Sequence, residues 1–123
     1  MGKLDFEDLE IWREGKALAV DVIKMWEGLD GRGYFGLQDQ MQRSSVSIPS
    51  NIAEGSERKS ATEFIRYLYI AKASAAELRT QLYVFSELNI AKGVDVESMI
   101  ERTLSLSRKT QRLISVVSEG RKY

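Results

Sequence analysis

The chain has 123 residues, the length of one domain, and its 43% hydrophobic and 29% charged residues are the mixture of an ordinary globular protein. It contains 18 basic and 18 acidic residues, with no cysteine and no histidine. This composition excludes disulfides, thiolate or imidazole metal sites and the familiar nucleophile–base pairs, and the zero net charge argues against a large phosphate-binding surface.

No apolar run approaches the roughly 20 residues that span a bilayer, and the acidic N-terminal stretch lacks the apolar core of a signal peptide. We therefore expect one domain over residues 1–123, located in the cytoplasm and without a membrane partner. Because no catalytic or phosphate-binding motif is present, we also expect no enzyme activity, no catalytic residue, no metal, no cofactor and no small-molecule substrate.

The first predicted helix runs from about Asp5 to Gly28. Apolar residues recur along it at spacings of three and four, which is typical of a core-facing helix: Ile11, Gly15, Leu18, Val22, Met25 and Leu29. The loop that follows contains Gly31-Arg32-Gly33-Tyr34-Phe35-Gly36, which fits a dinucleotide-binding pattern. That pattern needs a strand before it, whereas a helix precedes it here, so we interpret these residues as turn glycines.

The second predicted helix runs from about Leu37 to Arg58 and contains Pro49. The missing N–H of Pro49 removes one helical hydrogen bond, which predicts a kink within a continuous helix. Two shorter helices, with Pro49 in the first turn of the second, are the alternative. The apolar phase continues across Pro49 and favours the kinked helix.

The third predicted helix begins at the capping box Ser60-Ala61-Thr62-Glu63 and ends near residues 91–93, with Gly93 as the candidate C-cap. It carries a heptad-like apolar seam: Phe64, Leu68, Ala71, Ala75, Leu78, Leu82 and Phe85. The fourth runs from the candidate N-cap Asp95 to about Glu119. Because the links between helices are short, we predict an all-α, antiparallel up-down-up-down four-helix bundle.

A polar stripe follows one face of the second helix and comprises Gln40, Arg43, Ser47, Asn51 and Glu54. Antiparallel pairing about residue 60 brings three of these side chains opposite residues of the third helix, in the pairs Arg43–Glu77, Ser47–Ser74 and Glu54–Arg66. We interpret the stripe as register-setting contacts, including a partly buried ion pair between Arg43 and Glu77. A ligand site or a subunit interface is the alternative.

Basic residues should gather at the end of the bundle where the second and fourth helices finish. The candidates for nucleic-acid binding are Arg58, Lys59, Arg66, Arg108, Lys109 and Arg112, with Arg121 and Lys122 beside them. Acidic residues fall at the same end, so a phosphate-binding surface requires the two signs to occupy different faces.

The third helix also carries apolar and aromatic residues beside its seam, namely Tyr67, Tyr69, Ile70 and Tyr83. They either contact another subunit or widen the core-facing surface of the helix. The sequence pattern leaves both interpretations open.

Several motifs between Gln40 and Leu82 are distinctive: Gln40-x-x-Arg43, Ser47-Ile48-Pro49-Ser50-Asn51-Ile52-Ala53-Glu54-Gly55, Glu63-Phe64 and Ser74-x-x-Glu77-Leu78. Two others extend the pattern towards the N-terminus: Phe6-x-x-Leu9-x-x-Trp12 and Tyr34-x-Gly36-Leu37. Over roughly residues 6–90 the chain thereby resembles the bacterial four-helix-bundle proteins encoded in intervening sequences of 23S ribosomal RNA genes. The accessory proteins of diversity-generating retroelements look similar in fold, but they are basic and this chain is neutral.

The resemblance implies a left-handed bundle that assembles with itself into a ring, a homopentamer, and an association with ribosomal RNA. It implies no catalytic residues. Two functions follow as hypotheses. The first is an oligomer that binds RNA through a basic surface, and the second is a protein scaffold or accessory subunit that presents a ring surface to a nucleic-acid enzyme.

Overall fold

The structure, a computed structural model, describes residues 5–29, 33–91 and 93–123. Within these ranges the chain forms four α-helices and no strand, which confirms the all-α fold class. None of the helices in the same ranges combines the length and the apolar character that crossing a bilayer requires.

The four helices surround one apolar core. In chain order the elements are a 3₁₀ turn at Phe6–Asp8 and the helices α1 (Glu10–Glu27), α2 (Phe35–Ser56), α3 (Ala61–Leu88) and α4 (Val96–Ser118). Helices α1 and α3 each pack against α2 and α4. The predicted apolar stripes meet inside, and the fully buried side chains include Leu18, Val22, Met41, Ile48, Ile52, Leu68, Leu78, Leu82, Phe85 and Leu106.

Polar contacts fix the register between α2 and α3. The buried Ser44 hydroxyl donates a hydrogen bond to Gln81 Oε1 at 2.6 Å. One turn later along α2, the Ser47 and Ser74 hydroxyls share a hydrogen bond at 2.9 Å. Residues later in α2 thus contact residues earlier in α3. Sliding one helix along the other would leave these buried and half-buried groups without partners, so each bond specifies one register.

Helix α2 continues without a break through Pro49. The proline is buried, and its Cδ would lie 3.5 Å from a Cβ built on Gly15 of α1. Pro49 therefore belongs to the interface between α1 and α2. The alternative of two shorter helices is wrong, and the kink stays a prediction.

The starts of the helices test the predicted capping residues. The Ser60 hydroxyl and the Asp95 carboxylate each accept a hydrogen bond from a backbone N–H three residues later, at 3.1 and 3.0 Å, which confirms both N-caps. Helix α1 instead begins at Glu10 rather than at Asp5. The reason is Leu9, whose extended backbone interrupts the helix and places its side chain in the core.

Helix α3 ends at Leu88 rather than near residues 91–93. Asn89 adopts the left-handed conformation (φ 53°, ψ 37°), which asparagine tolerates better than most residues and which terminates a helix. Gly93 has a positive φ of 82° but lies in the connection beyond α3, so the prediction that it caps the helix is wrong. Outside the described residues lie three of the predicted turn positions, Gly31, Arg32 and Lys92.

Candidate functional site

The inner part of the polar stripe on α2 joins α2 to α3. Asn51 Nδ2 donates hydrogen bonds to the carbonyl and the hydroxyl oxygen of Ser47, at 2.8 and 2.9 Å, and Ser47 in turn bonds to Ser74. All three side chains are half-buried. This small network satisfies its own polar groups, which is the behaviour expected of residues that pair helices.

The outer part of the stripe faces solvent. Arg43 Nε donates to Asp39 at 2.9 Å, and the two side chains are 79% and 63% exposed. The predicted buried pair with Glu77 does not form, because Asp39 lies one helical turn before Arg43 and is the nearer carboxylate. Glu77 and Gln40 are also exposed. An exposed pair of this kind contributes at most about 1 kcal/mol, so Arg43 is not an anchor of the fold.

At the turn between α2 and α3, two arginine side chains contact one tyrosine ring. Glu54 accepts a hydrogen bond from Arg58 at 3.1 Å, while Arg66 donates to Glu63 at 2.9 Å, so the predicted contact between Glu54 and Arg66 is replaced by two local pairs. Both guanidinium groups lie over the Tyr67 ring, with their carbons 4.9 and 4.8 Å from its centroid. We call Arg58, Tyr67 and Arg66 the arginine–tyrosine stack.

Ion pairs connect α1 to α4. Lys109 Nζ donates to Glu14 Oε2 at 2.9 Å and to Glu10, and Arg102 donates to Asp21 at 2.8 Å. The hydrogen bond from Lys109 holds the pKa of Glu10 below its usual range, and the bonds to Glu10 and Glu14 raise the pKa of Lys109. Lys109 is only 27% exposed. Its charge is already paired with two carboxylates of α1, which makes Lys109 a poor phosphate contact.

These pKa shifts predict how the contact between α1 and α4 depends on pH. A lowered glutamate pKa stabilises the fold at pH values above the ordinary glutamate pKa, and this stabilisation is lost as the pH falls through the lowered pKa. The raised pKa of Lys109 gives stability that is lost as the pH rises through it, above about 10.5. We therefore expect Lys109→Met to be less stable than wild type at neutral pH in thermal unfolding, and the difference to shrink below about pH 4.

The matched control is Lys24→Met, because Lys24 is an exposed lysine of α1 that makes no ion pair with a described residue. It should melt like wild type across the same pH range. A stability difference for Lys109→Met that persists unchanged at pH 3 would contradict a role for the carboxylates.

The remaining basic candidates are exposed. Within the described part of the chain, no ion pair is formed by Lys59, Arg108 or Arg112. Their charges are therefore available to a phosphate group. The six candidates divide evenly, since Arg58, Arg66 and Lys109 are each paired with a carboxylate. Opposite charges meet as pairs here, so the structure does not form one uniformly basic patch.

A shallow cleft lies where α2 ends, α3 begins and α4 ends. We call it the terminal cleft; it is lined by the basic residues Arg58, Lys59 and Arg121 and by the apolar residues Phe64, Val117 and Tyr123. Tyr123 also lines a second cleft between α1 and α4, together with Lys109 and Arg112. The predicted basic end of the bundle thus corresponds to two neighbouring clefts with apolar floors.

Among the described residues, eight of the nine exposed large apolar side chains lie on two faces, and the ninth, Phe35, is the first residue of α2. The first, the α1–α2 face, comprises Val20, Ile23 and Val46. The second, the α3 face, comprises Tyr69, Ile70, Tyr83, Val84 and Leu88. Tyr69, Ile70 and Tyr83, for which the sequence pattern allowed two interpretations, belong to the α3 face. The interpretation that they widen the core is therefore wrong. The remaining one, Tyr67, is half-buried in the stack.

The new members of these faces carry a recognisable signal. Val46 and Val84 are apolar residues that fall outside the repeating core positions of their helices, whereas Ile23 lies directly beside the apolar stripe of α1. Several exposed apolar residues on one helix mark contact surfaces more often than a single one does. A search for apolar residues out of phase with each stripe would have found Val46 and Val84.

Comparison with known proteins places the chain among similar bundles. Residues 7–112 match the family model described as 23S rRNA-intervening sequence protein. No curated protein matches the sequence. A crystal structure from Bacteroides thetaiotaomicron, described as a protein with unknown function from the S23 ribosomal protein family, is similar with a TM-score of 0.75. The two sequences are 21% identical over 85% of this chain and 97% of the other, which supports the fold alone.

Proposed function

This chain belongs to the 23S rRNA-intervening sequence protein family, and we propose that it acts in the cytoplasm as a non-enzymatic helical bundle that assembles with copies of itself. The observation that carries this proposal is the pair of exposed apolar faces. The eight members of these faces are all large apolar side chains that a lone bundle leaves in water. Burial of such surface is the main driving force for association.

We infer that the helices run up-down-up-down within each subunit. Support comes from the contacts between α2 and α3, in which Ser44 meets Gln81 and Ser47 meets Ser74. Helices α1 and α4 are antiparallel in the same way. Lys109 contacts Glu14. Arg102, which lies earlier in α4, contacts Asp21, which lies later in α1. A kink of α2 at Pro49 belongs to the same proposal.

The two apolar faces lie on different helices, and this favours a particular mode of assembly. If the α1–α2 face of one copy packs on the α3 face of the next, the contact is heterologous and repeats around a ring. A ring closes when the rotation between neighbours divides the circle evenly. We propose a homopentamer, the number that the family resemblance implies.

A second observation supports an association with RNA. Lys59, Arg108 and Arg112 are exposed and make no ion pair with a described residue, and the family description refers to 23S ribosomal RNA. Three such cations per subunit would give a logarithmic salt dependence with a slope of roughly −2 for single-stranded nucleic acid. We propose that RNA binds this surface with modest affinity per subunit, because the other basic candidates are neutralised by carboxylates.

Light scattering of the purified full-length protein, with absorbance at 260 and 280 nm recorded on the same peak, tests both proposals. We expect a mass near five chains and a raised 260/280 ratio that falls after a wash at high salt. A ring with a clean protein spectrum would favour the alternative function, a scaffold or accessory subunit for a nucleic-acid enzyme. A monomer at all concentrations would overturn the assembly proposal.

A further inference from the structure

The arginine–tyrosine stack has an order that a surface cluster of flexible side chains does not have. Arg58 donates a hydrogen bond to the Tyr67 hydroxyl at 2.7 Å as well as to Glu54 at 3.1 Å. Arg66 contacts the same ring and donates a hydrogen bond to Glu63 at 2.9 Å. Three hydrogen bonds and two ring contacts therefore hold two guanidinium groups against one aromatic ring. The arginine–tyrosine stack is ordered before any ligand binds, which lowers the entropic cost of binding.

The two guanidinium groups remain accessible. The Arg58 side chain is 43% exposed and the Arg66 side chain is 57% exposed, although each already contacts Tyr67 and a carboxylate. A guanidinium group is planar and weakly hydrated, and the face that does not contact Tyr67 can stack on a flat ring. Arginine planes and aromatic rings are the surfaces on which proteins stack unpaired RNA bases.

The charge of the stack argues against a phosphate-dominated site. Glu54 pairs with Arg58 and Glu63 pairs with Arg66, so the four side chains together carry no net charge. A phosphate would have to compete with these carboxylates, whereas a base that stacks on the outer faces leaves both pairs in place. The arrangement therefore suits the flat face of a neutral ring.

The terminal cleft adjoins the stack and adds a further cation and two further aromatic rings to it. Arg58 lines this cleft together with Lys59, which makes no ion pair with a described residue. A strand whose base covers Arg58 would carry its phosphate close to Lys59. The rings of Phe64 and Tyr123, with centroids 5.6 Å apart, give the same cleft an aromatic floor.

We propose that the arginine–tyrosine stack, extended by the terminal cleft, binds unpaired bases of single-stranded RNA. This inference rests on the proposed association with RNA and names the form of RNA that binds. Bases within a duplex are already stacked on both faces, so a duplex can offer only its phosphates and edges to the same surface.

The test is fluorescence anisotropy with a short labelled ribo-oligonucleotide of mixed sequence, either single-stranded or annealed to its complement. We expect the full-length protein to prefer the single strand. The double variant Arg58→Lys and Arg66→Lys keeps both charges but loses both planar groups, and it should bind the single strand roughly five- to a hundred-fold more weakly. Its affinity for the duplex should not change.

Arg43→Lys is the matched control, because Arg43 is exposed and pairs with a carboxylate three or four residues before it, as both stack arginines do. It belongs to neither the stack, nor the terminal cleft, nor the exposed cations proposed to bind RNA. It should bind both forms like wild type. If wild type binds RNA but the double lysine variant binds the single strand equally well, the stacking inference is overturned and the association with RNA stands. If wild type binds neither form of the RNA at low salt, the stacking inference and the proposed association with RNA are both overturned.

Discussion

Replacing Gly55 by alanine should lower the free energy of unfolding by about 2–3 kcal/mol, a large loss for the addition of one methyl group. A Cβ built on Gly55 would lie 2.5 Å from Tyr67 Cβ and 3.1 Å from Phe64 Cδ1. The Tyr67 Cβ is bonded directly to the backbone of α3, so no side-chain rotation can relieve the contact. Helices α2 and α3 would have to move apart, and the packing around their shared turn would loosen.

The matched control is Gly36→Ala in the same helix. No heavy atom lies within 4 Å of a Cβ built on Gly36, and alanine is the better helix former by up to about 1 kcal/mol. Thermal unfolding followed by circular dichroism should therefore show an unchanged or higher melting temperature for this control. Gly55→Ala should melt roughly 10 °C lower than wild type. Equal melting temperatures for the two variants would show that the helices are not in close contact at Gly55.

The same substitution connects the fold to the proposed RNA site. Tyr67 can contact both Arg58 and Arg66 because Gly55 lets α3 approach α2 closely at this point. Displacing the tyrosine would separate the two guanidinium groups from the ring. We therefore expect Gly55→Ala, at a temperature where it remains folded, to lose the preference for single-stranded RNA as well.

The helices themselves could be predicted from the sequence because their signals are local. A repeat of three and four between apolar residues specifies which face of a helix is buried, whatever it packs against, and all seven predicted seam residues of α3 are buried. Capping is equally local, as Ser60 shows. The start of α1 could not be predicted in this way, since the extended backbone of Leu9 depends on the core that receives its side chain.

The candidate site was harder to predict because ionic partners are chosen by distance in three dimensions. Antiparallel pairing correctly brought Ser47 and Ser74 together, since short side chains reach only the residue directly opposite. Arg43 is long and flexible, and a carboxylate on its own helix was nearer than Glu77. Sequence spacing gives the helix face of a charged residue, but the choice among several reachable carboxylates requires the structure.

The stack could not have been derived from spacing alone. Its two arginines lie on different sides of a turn, and both were assigned to a basic patch with no role for Tyr67. The contact of both arginines with Tyr67 depends on the close approach of α2 and α3 at Gly55, and the periodicity of α2 indicates only that Gly55 lies on the buried face. A glycine on the buried face of a helix, opposite an aromatic residue, is nevertheless a signal worth testing in other bundles.

Single substitutions on either apolar face should convert the proposed ring to monomers. Val46 on the α1–α2 face and Val84 on the α3 face are each 44% exposed, so aspartate at either position should leave the isolated subunit folded. Within the ring, the new carboxylate would be buried against apolar side chains without a partner, which costs several kcal/mol at every interface. Light scattering of Val46→Asp and of Val84→Asp should therefore give the mass of one chain.

Mixing the two variants distinguishes a ring from other assemblies. In a heterologous ring each contact joins one α1–α2 face to one α3 face, so the intact α1–α2 face of Val84→Asp can still bind the intact α3 face of Val46→Asp. The mixture should contain a one-to-one dimer although neither variant associates alone. If each face instead binds its own kind, each variant alone will already form a dimer through its unchanged face.

Thr62→Asp provides the control for added charge. Thr62 is exposed in the first turn of α3, where the helix dipole favours a negative side chain, and it belongs to neither apolar face. Its mass should equal that of wild type. Because the mixing result requires two different and complementary surfaces on one subunit, a one-to-one dimer would establish the head-to-tail contact that a closed ring requires, independently of the subunit number.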